Sequence, residues 1–262
     1  MQGRYVMQER FAPVGRAGQE RLRQGKVAVV GIGGLGGLAA LLLARAGVGA
    51  LRLIDPDRPS YDNLHRQMLF TEDDVAQGLS KVAAAERYLG AVNHEVTIEP
   101  HPVALLPGNA RELLAGVDVV IDGLDGAWAR YLLNEACLAL KLPLVHAGVV
   151  QARGQVLVVL PGEGPCLRCW FPSLTEPTES SASLGIIGPA ASCLASLQTA
   201  EALKLLVGDH DHVLKGLLAL NLWPLSLRII GAEIRDHPGC PSCRGEYTFL
   251  EQEEDVGGRD LF

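Results

Sequence analysis

The sequence has few aromatic residues, no long apolar run and no excess of basic side chains, and each lack excludes something. Aromatics make up 5% of the 262 residues, so the core must be aliphatic. The longest uninterrupted apolar run, Leu38 to Ala44, is seven residues, far short of the ~20 that a membrane helix requires. Lys and Arg number 23 against 30 Asp and Glu, a net charge of −7. That is the wrong sign for a protein that grips nucleic acid through its phosphates. The opening Met1-Gln2-Gly3-Arg4-Tyr5-Val6 holds no apolar signal core. No Gly-x-x-x-x-Gly-Lys-Ser/Thr occurs, which excludes a Walker-type NTPase. The expectation is a soluble, cytoplasmic protein that binds neither nucleic acid nor membrane.

What is present points to a folded enzyme-sized unit. Hydrophobic residues are 48% and charged residues 20%, enough to fill a core and too apolar for disorder. The length fits one large α/β domain over residues 1–262. Runs rich in β-branched residues predict buried strands at Lys26–Val30, Leu51–Ile54, Val96–Ile98, Val117–Ile121 and Leu144–His146. Helices are predicted before the first of them, at Arg16–Gln24, and between others, at Leu38–Ala46, Ser80–Leu89 and Ala127–Leu140. This alternation predicts a doubly wound parallel sheet with helices on both faces. After residue 150 the pattern changes. Gln155–Val159 reads as a strand, 166–183 as an irregular loop and Pro189–Leu206 as a long helix. Leu217–Leu222, Leu227–Ile230 and Tyr247–Leu250 read as antiparallel strands, and 251–262 as an acidic tail.

Gly31-x-Gly33-Gly34-x-Gly36 lies between a predicted strand and a predicted helix. The first glycine permits the turn, the second lets a ligand approach the backbone, and the third allows close helix–strand packing. A helix N-terminus favours an anion. Asp55, nineteen residues beyond Gly36, ends the second strand, where a carboxylate takes a pair of ribose hydroxyls. The pattern predicts a nucleotide site without saying which nucleotide.

The following segment favours a triphosphate over a dinucleotide. Asp55-Pro-Asp57, Asn63-Leu-His-Arg66-Gln67 and Lys81 place cations where β- and γ-phosphates need them. Taken singly, Arg66 and Lys81 also read as surface charges. Asp125 follows the fourth strand, at the sheet edge where open α/β folds bind ligands. It reads either as a magnesium-holding carboxylate or as a helix cap.

Arg4-Tyr5, Gly18-Gln19, the glycine loop, Asp55-x-Asp57, Asn63-Leu-x-Arg66-Gln67, Lys81, Asp125 and two Cys-x-x-Cys pairs occur in one order across residues 4–243. This ordered set resembles the E1-like activating enzymes of the MoeB/ThiF/HesA type. The resemblance implies ATP- and magnesium-dependent adenylation of the C-terminal glycine carboxylate of a small ubiquitin-like sulfur-carrier protein ending in Gly-Gly. It implies a homodimer and a mixed sheet completed by antiparallel C-terminal strands. It puts Asp55 on the ribose, Asn63, Arg66 and Lys81 on the phosphates, and Asp125 on the metal. Gly31, Gly33, Gly34, Gly36, Asp57 and Gln67 complete the nucleotide site. The attacking carboxylate is already ionised at neutral pH, its ordinary pKa being ~3.5, so no general base is required.

Cys166-Leu-Arg-Cys169 and Cys240-Pro-Ser-Cys243 have the spacing of thiolate pairs on one tetrahedral zinc. A closed four-sulfur set is structural, and redox-active pairs are the alternative reading. Two departures from the resembled family stand out. Ser181 occupies the place, four residues before Gly185-x-x-x-Pro189, where the family often has a transfer cysteine, so adenylation without such a cysteine is expected. Met7 stands where the family usually has an arginine that reaches the partner subunit, with Arg10 and Arg16 nearby. Gly126 replaces a frequent asparagine. Cys193 is expected to be a buried small side chain, not a nucleophile. His146 reads as a pocket residue or a core histidine, Asp209-His-Asp-His212 as a solvated loop, and Gly257-Gly258 as tail. Two other functions share these motifs. One is an NAD-dependent oxidoreductase; the other is a catalytically weakened binding or dimer partner.

Overall fold

The computed structural model describes residues 3–172, 181–231 and 239–252. Eight strands form one sheet: β1 (Lys26–Val30), β2 (Ala50–Ile54), β3 (Thr97–His101), β4 (Val119–Asp122), β5 (Leu144–Val150), β6 (Arg153–Val159), β7 (Leu217–Leu222) and β8 (Leu225–Ile230). Their order is β3-β2-β1-β4-β5-β6-β7-β8. The first five run parallel. β6, β7 and β8 close the sheet as an antiparallel meander. The mixed, Rossmann-like sheet expected from the sequence is therefore observed. Order reverses between β1 and β4, and ligands of such folds settle at the carboxyl ends of the strands beside that switch.

The helices are α1 (Val6–Glu9), α2 (Gly15–Gln24), α3 (Gly36–Ala46), α4 (Glu72–Ala76), α5 (Lys81–Val92), α6 (Pro107–Leu114), α7 (Ala127–Leu140), α8 (Leu167–Trp170), α9 (Ser181–Leu184) and α10 (Gly188–Val207). Strand alternation sorts the core between two faces. Val27 and Val29 of β1 join the cluster that includes residues of α3, α5 and α10. Ala28 and Val30 join the cluster that includes residues of α6 and α7. Gly47 and Gly208 end α3 and α10 in the left-handed conformation, with φ of +80° and +77°, which glycine adopts without steric cost.

Three expectations need correction. Tyr247–Leu250 is a turn, not a strand. The backbone N–H groups of Phe249 and Leu250 donate to Glu135 Oε2 at 2.7 and 3.1 Å, so they are not left for a sheet. Cys193 is exposed. Residues 190, 191, 194, 195 and 198 of α10 face the core, and position 193 falls on the opposite side at 100° per residue. The stretch 166–183 contains α8 and the start of α9, its middle lying outside the described residues. The Ser181 side chain, Gly257-Gly258 and all of the tail beyond Gln252 also lie outside them. No described helix is long and apolar enough to cross a membrane.

Candidate active site

A cavity of about 930 Å³ opens at the carboxyl ends of the parallel strands. Its lining includes Gly31, Gly33 and Gly34, the Asp55–Asp57 turn, Arg66, Gln67, Lys81 and the 123–126 loop. Asn63 is not in the wall but reaches it through Arg66. The predicted site residues, scattered over almost a hundred positions, thus meet around one space.

The glycines do different jobs. Gly31 has φ +85°, and a Cβ there would lie 2.7 Å from the Gly123 carbonyl group. A Cβ on Gly36 would stand 1.9 Å from the Gly31 oxygen. Both positions are closed by backbone. Gly33 is open, with only Gln67 Nε2 at 3.9 Å from where a Cβ would be. That openness is what a ligand needs to approach the chain.

Asp55 is buried at the end of β2. Its Oδ2 accepts the Ile32 N–H at 2.6 Å and its Oδ1 the Asp57 N–H at 2.8 Å. Burial raises its pKa above the usual carboxylate range, against the opposing pull of Lys81. The Lys81 ammonium lies 2.6 Å from Asp57 Oδ2 and 3.5 Å from Asp55 Oδ1. Lys81 opens α5, whose Ser80 hydroxyl caps the Ala83 N–H. Arg66 donates to the Asp62 carbonyl at 3.2 Å and to the Asn63 side chain. Gln67 is buried, and its Oε1 has no partner among the described residues.

Asp125 is exposed at the mouth. Among the described residues it forms no hydrogen bond or ion pair, whereas Asp55 and Asp57 are both engaged. A free, hard oxygen donor at the mouth of a cavity of about 930 Å³ fits a magnesium ion, which binds through one or two carboxylates plus substrate phosphates. The cap of α7 is the neighbouring Gly126.

On the α7 face, Cys166, Cys169, Cys240 and Cys243 bring their sulfurs within 4.8 Å of one another. Neighbouring Sγ atoms stand 3.7, 3.7 and 3.5 Å apart. A tetrahedron with Zn–S of ~2.3 Å has edges of about 3.8 Å, so the donor set fits zinc. Burial, then the charge of the Cys243 sulfur, pushes the Cys166 thiol up to about 12. A dication reverses that preference by binding thiolates. Glu135 of α7, fully buried, joins both limbs of the clip. It accepts from Ser242 Oγ at 2.8 Å, from the Phe249 and Leu250 N–H groups, and from Arg168 at 3.4 Å.

The ThiF family model matches residues 5–242. The chain belongs to the ThiF family. It is 35% identical over 255 residues to the "Sulfur carrier protein ThiS adenylyltransferase" of Bacillus subtilis, covering 97% of this chain and 75% of that one. It is 40% identical over 255 residues to the "Sulfur carrier protein adenylyltransferase" of Thermus thermophilus, covering 95% and 93%. Among solved structures, Escherichia coli MccB with a MccA-N7isoASN ligand superposes with a TM-score of 0.79 at 22% identity, over 93% of this chain and 74% of that one. This last likeness shows the fold. The ThiF match spans every predicted nucleotide-site residue and three of the four clip cysteines.

The structure adds lining residues that sequence reading missed in this ThiF-family chain. Arg153 and Gln155 of β6, Asn221 of β7, and Ser226 and Arg228 of β8 extend the cavity away from the glycine loop. They share one sheet face because Arg153 pairs with Asn221 and Gln155 with Ala219, while Ala219 pairs with Arg228. Only the strand register brings them together. On the opposite face of β8, Leu225, Leu227 and Ile229 are exposed.

Proposed function

We propose that this chain adenylates the C-terminal glycine carboxylate of a small ubiquitin-like sulfur-carrier protein, with ATP and magnesium. The observation that carries the reading is the convergence, around one cavity, of an open glycine, two cations and a free carboxylate. The ribose is held at Asp55 beside Gly31 and Gly34. The phosphates lie along Gly33, Asn63, Arg66, Gln67 and Lys81, with Asp57 holding the lysine in place. Asp125 holds magnesium, which when bound offsets phosphate charge.

A carboxylate oxygen of the carrier attacks the α-phosphorus. The new acyl–oxygen–phosphorus bond forms as the bond to the bridging oxygen breaks, and its electron pair leaves with pyrophosphate. No proton moves. The barrier lies in bringing anions together and in charge on the leaving group, so positioned cations supply the catalysis. No transfer cysteine takes part, in keeping with Ser181.

The polar extension of the cavity past Arg153, Asn221 and Arg228 suits a peptide tail. The exposed apolar side chains of β8, together with Met7 and Phe11 near the N-terminus, are surface of the kind that marks protein contacts. Two partners are needed: the carrier and a second copy of the chain. Arg10 Nη1 lies 3.4 Å from Met7 Sδ, so Arg10, with Arg16, is a candidate for the role of the arginine that Met7 replaces. Zinc in the four-cysteine clip is structural.

The test is carrier-dependent ATP–pyrophosphate exchange. Exchange is expected with a Gly-Gly-ending carrier and falls sharply in Lys81→Ala and Asp125→Ala. Exchange untouched by either substitution overturns the assignment, and tighter binding of NADH than of Mg-ATP favours an oxidoreductase.

A further inference from the structure

Beneath the cavity lies a buried polar group that the adenylation chemistry does not use. His146 of β5 is 2% exposed and pairs in register with Asp122 of β4. Its Nδ1 stands 2.6 Å from Asp122 Oδ2. Its Nε2 is buried without a hydrogen-bond partner among the described residues. Burying a polar ring costs free energy unless it is hydrogen-bonded, and the bond this ring makes is the one to Asp122. His146 does not line the cavity, so it is not placed to touch substrate.

The carboxylate it engages works in the other direction too. Asp122 Oδ1 accepts the Leu124 N–H at 3.0 Å. The Leu124 carbonyl in turn accepts Nε and Nη2 of Arg130 at 3.1 and 2.5 Å. Gly123 donates to the Val30 carbonyl at 2.8 Å. Both backbone groups of Leu124 are therefore fixed, and Asp125 is the next residue. With no bond of its own among the described residues, Asp125 takes its direction from this clamp.

We propose that His146 is a positioning residue: by donating to Asp122 it keeps that carboxylate on the Leu124 N–H and so aims Asp125 across the cavity mouth. The inference rests on the reading of Asp125 as the magnesium-holding group. Without the imidazole, Asp122 Oδ2 retains, among the described residues, Arg130 Nε at 3.9 Å. The carboxylate then turns toward the guanidinium, and the clamp on Leu124 loosens at both ends. Removing groups that orient a metal ligand typically weakens metal binding 10–100-fold.

Two variants separate a positioning role from a packing one. His146→Phe keeps the ring and removes the donor. His146→Asn places an amide N–H where Nδ1 stood. In zinc-loaded protein without magnesium, amide hydrogen exchange at Leu124 is expected to accelerate at least ~10-fold in His146→Phe, with Ile121 unchanged, and to return to the native rate in His146→Asn. The magnesium concentration for half-maximal ATP binding is expected to rise ~10–100-fold in the first and not in the second. A folded His146→Phe with native exchange at Leu124 overturns the proposal, as does a His146→Asn as impaired as His146→Phe. If His146→Phe does not fold, His146→Leu replaces it. Failure of both to fold overturns the proposal in favour of a core role. ATP binding by the native protein that ignores magnesium sinks the Asp125 reading instead, and the exchange rates still decide the clamp.

Discussion

Lys81 and Asp57 hold each other twice: the ammonium lies 2.6 Å from the Asp57 carboxylate, and the Lys81 N–H donates to the Asp57 carbonyl at 2.9 Å. The second bond fixes the start of α5 whatever the side chains do. The first bond is one that a phosphate can replace. Lys81→Ala is expected to lower pyrophosphate exchange ~10²–10³-fold, the usual loss on removing one preorganised donor. Asp57→Asn should cost less, because Asp55 still flanks the ammonium. Steady-state exchange kinetics compare the two.

Gly33 and Gly36 should respond oppositely to a methyl group. Gly33→Ala has room, so it should fold with a native melting curve and lose ATP affinity in calorimetric titration. Gly36→Ala drives a Cβ to 1.9 Å from the Gly31 oxygen, and its thermal stability should fall before any binding effect can be read. Equal melting temperatures for the two would contradict this division.

The clip should hold one zinc per chain by metal analysis. Removing it with a strong chelator should lower the melting temperature. Glu135→Leu strips the acceptor from Ser242, Phe249 and Leu250. Leaving such donors unsatisfied costs about 1–3 kcal/mol each, so a loss of at least ~3 kcal/mol is expected in urea denaturation. Alkylation of Cys166, buried in the native clip, should quicken in the same variant.

Stability should fall on mild acidification. Burial, outweighing the pull of Asp122, holds the His146 pKa below its ordinary 6.5. The unfolded chain therefore binds a proton in a window where the folded one does not. Stability from this residue is full above about 6.5 and declines as pH drops toward the folded value, by at most about 1.4 kcal/mol per pH unit. His146→Asn removes that contribution. Melting temperatures of the two proteins, measured from pH 8 to 5, should converge as pH falls if the variant is the less stable at pH 8.

Much of the fold was legible because its central strands are buried on both faces. A run such as Lys26–Val30 has no amphipathic pattern to misread, and its observed limits coincide with the predicted ones, as do those of the half-buried Leu217–Leu222. Tyr247–Leu250 misled for the same reason. Its apolar character serves a stack of Phe249 on Tyr131, with ring centroids 5.3 Å apart, and its backbone N–H groups go to a carboxylate from far away in the chain. Cys193 misled because small apolar neighbours indicate a buried helix but not which side of it faces inward. Pro107–Leu114 was not anticipated, although Pro at its start and Asn109 capping Leu106 are local signals.

The glycine loop, the order of charged residues after β2 and the two cysteine pairs are properties of the chain alone, since each depends on residue type at short spacing. They were enough to indicate the family and the kind of chemistry. Long-range pairing decided the rest. The register of β4 on β5 sets His146 against Asp122, and the meander of β6 to β8 lines up Arg153, Asn221 and Arg228. A single carboxylate on α7 ties cysteine limbs that are some seventy residues apart. Such contacts depend on where distant segments meet, and that is settled only when the whole core packs.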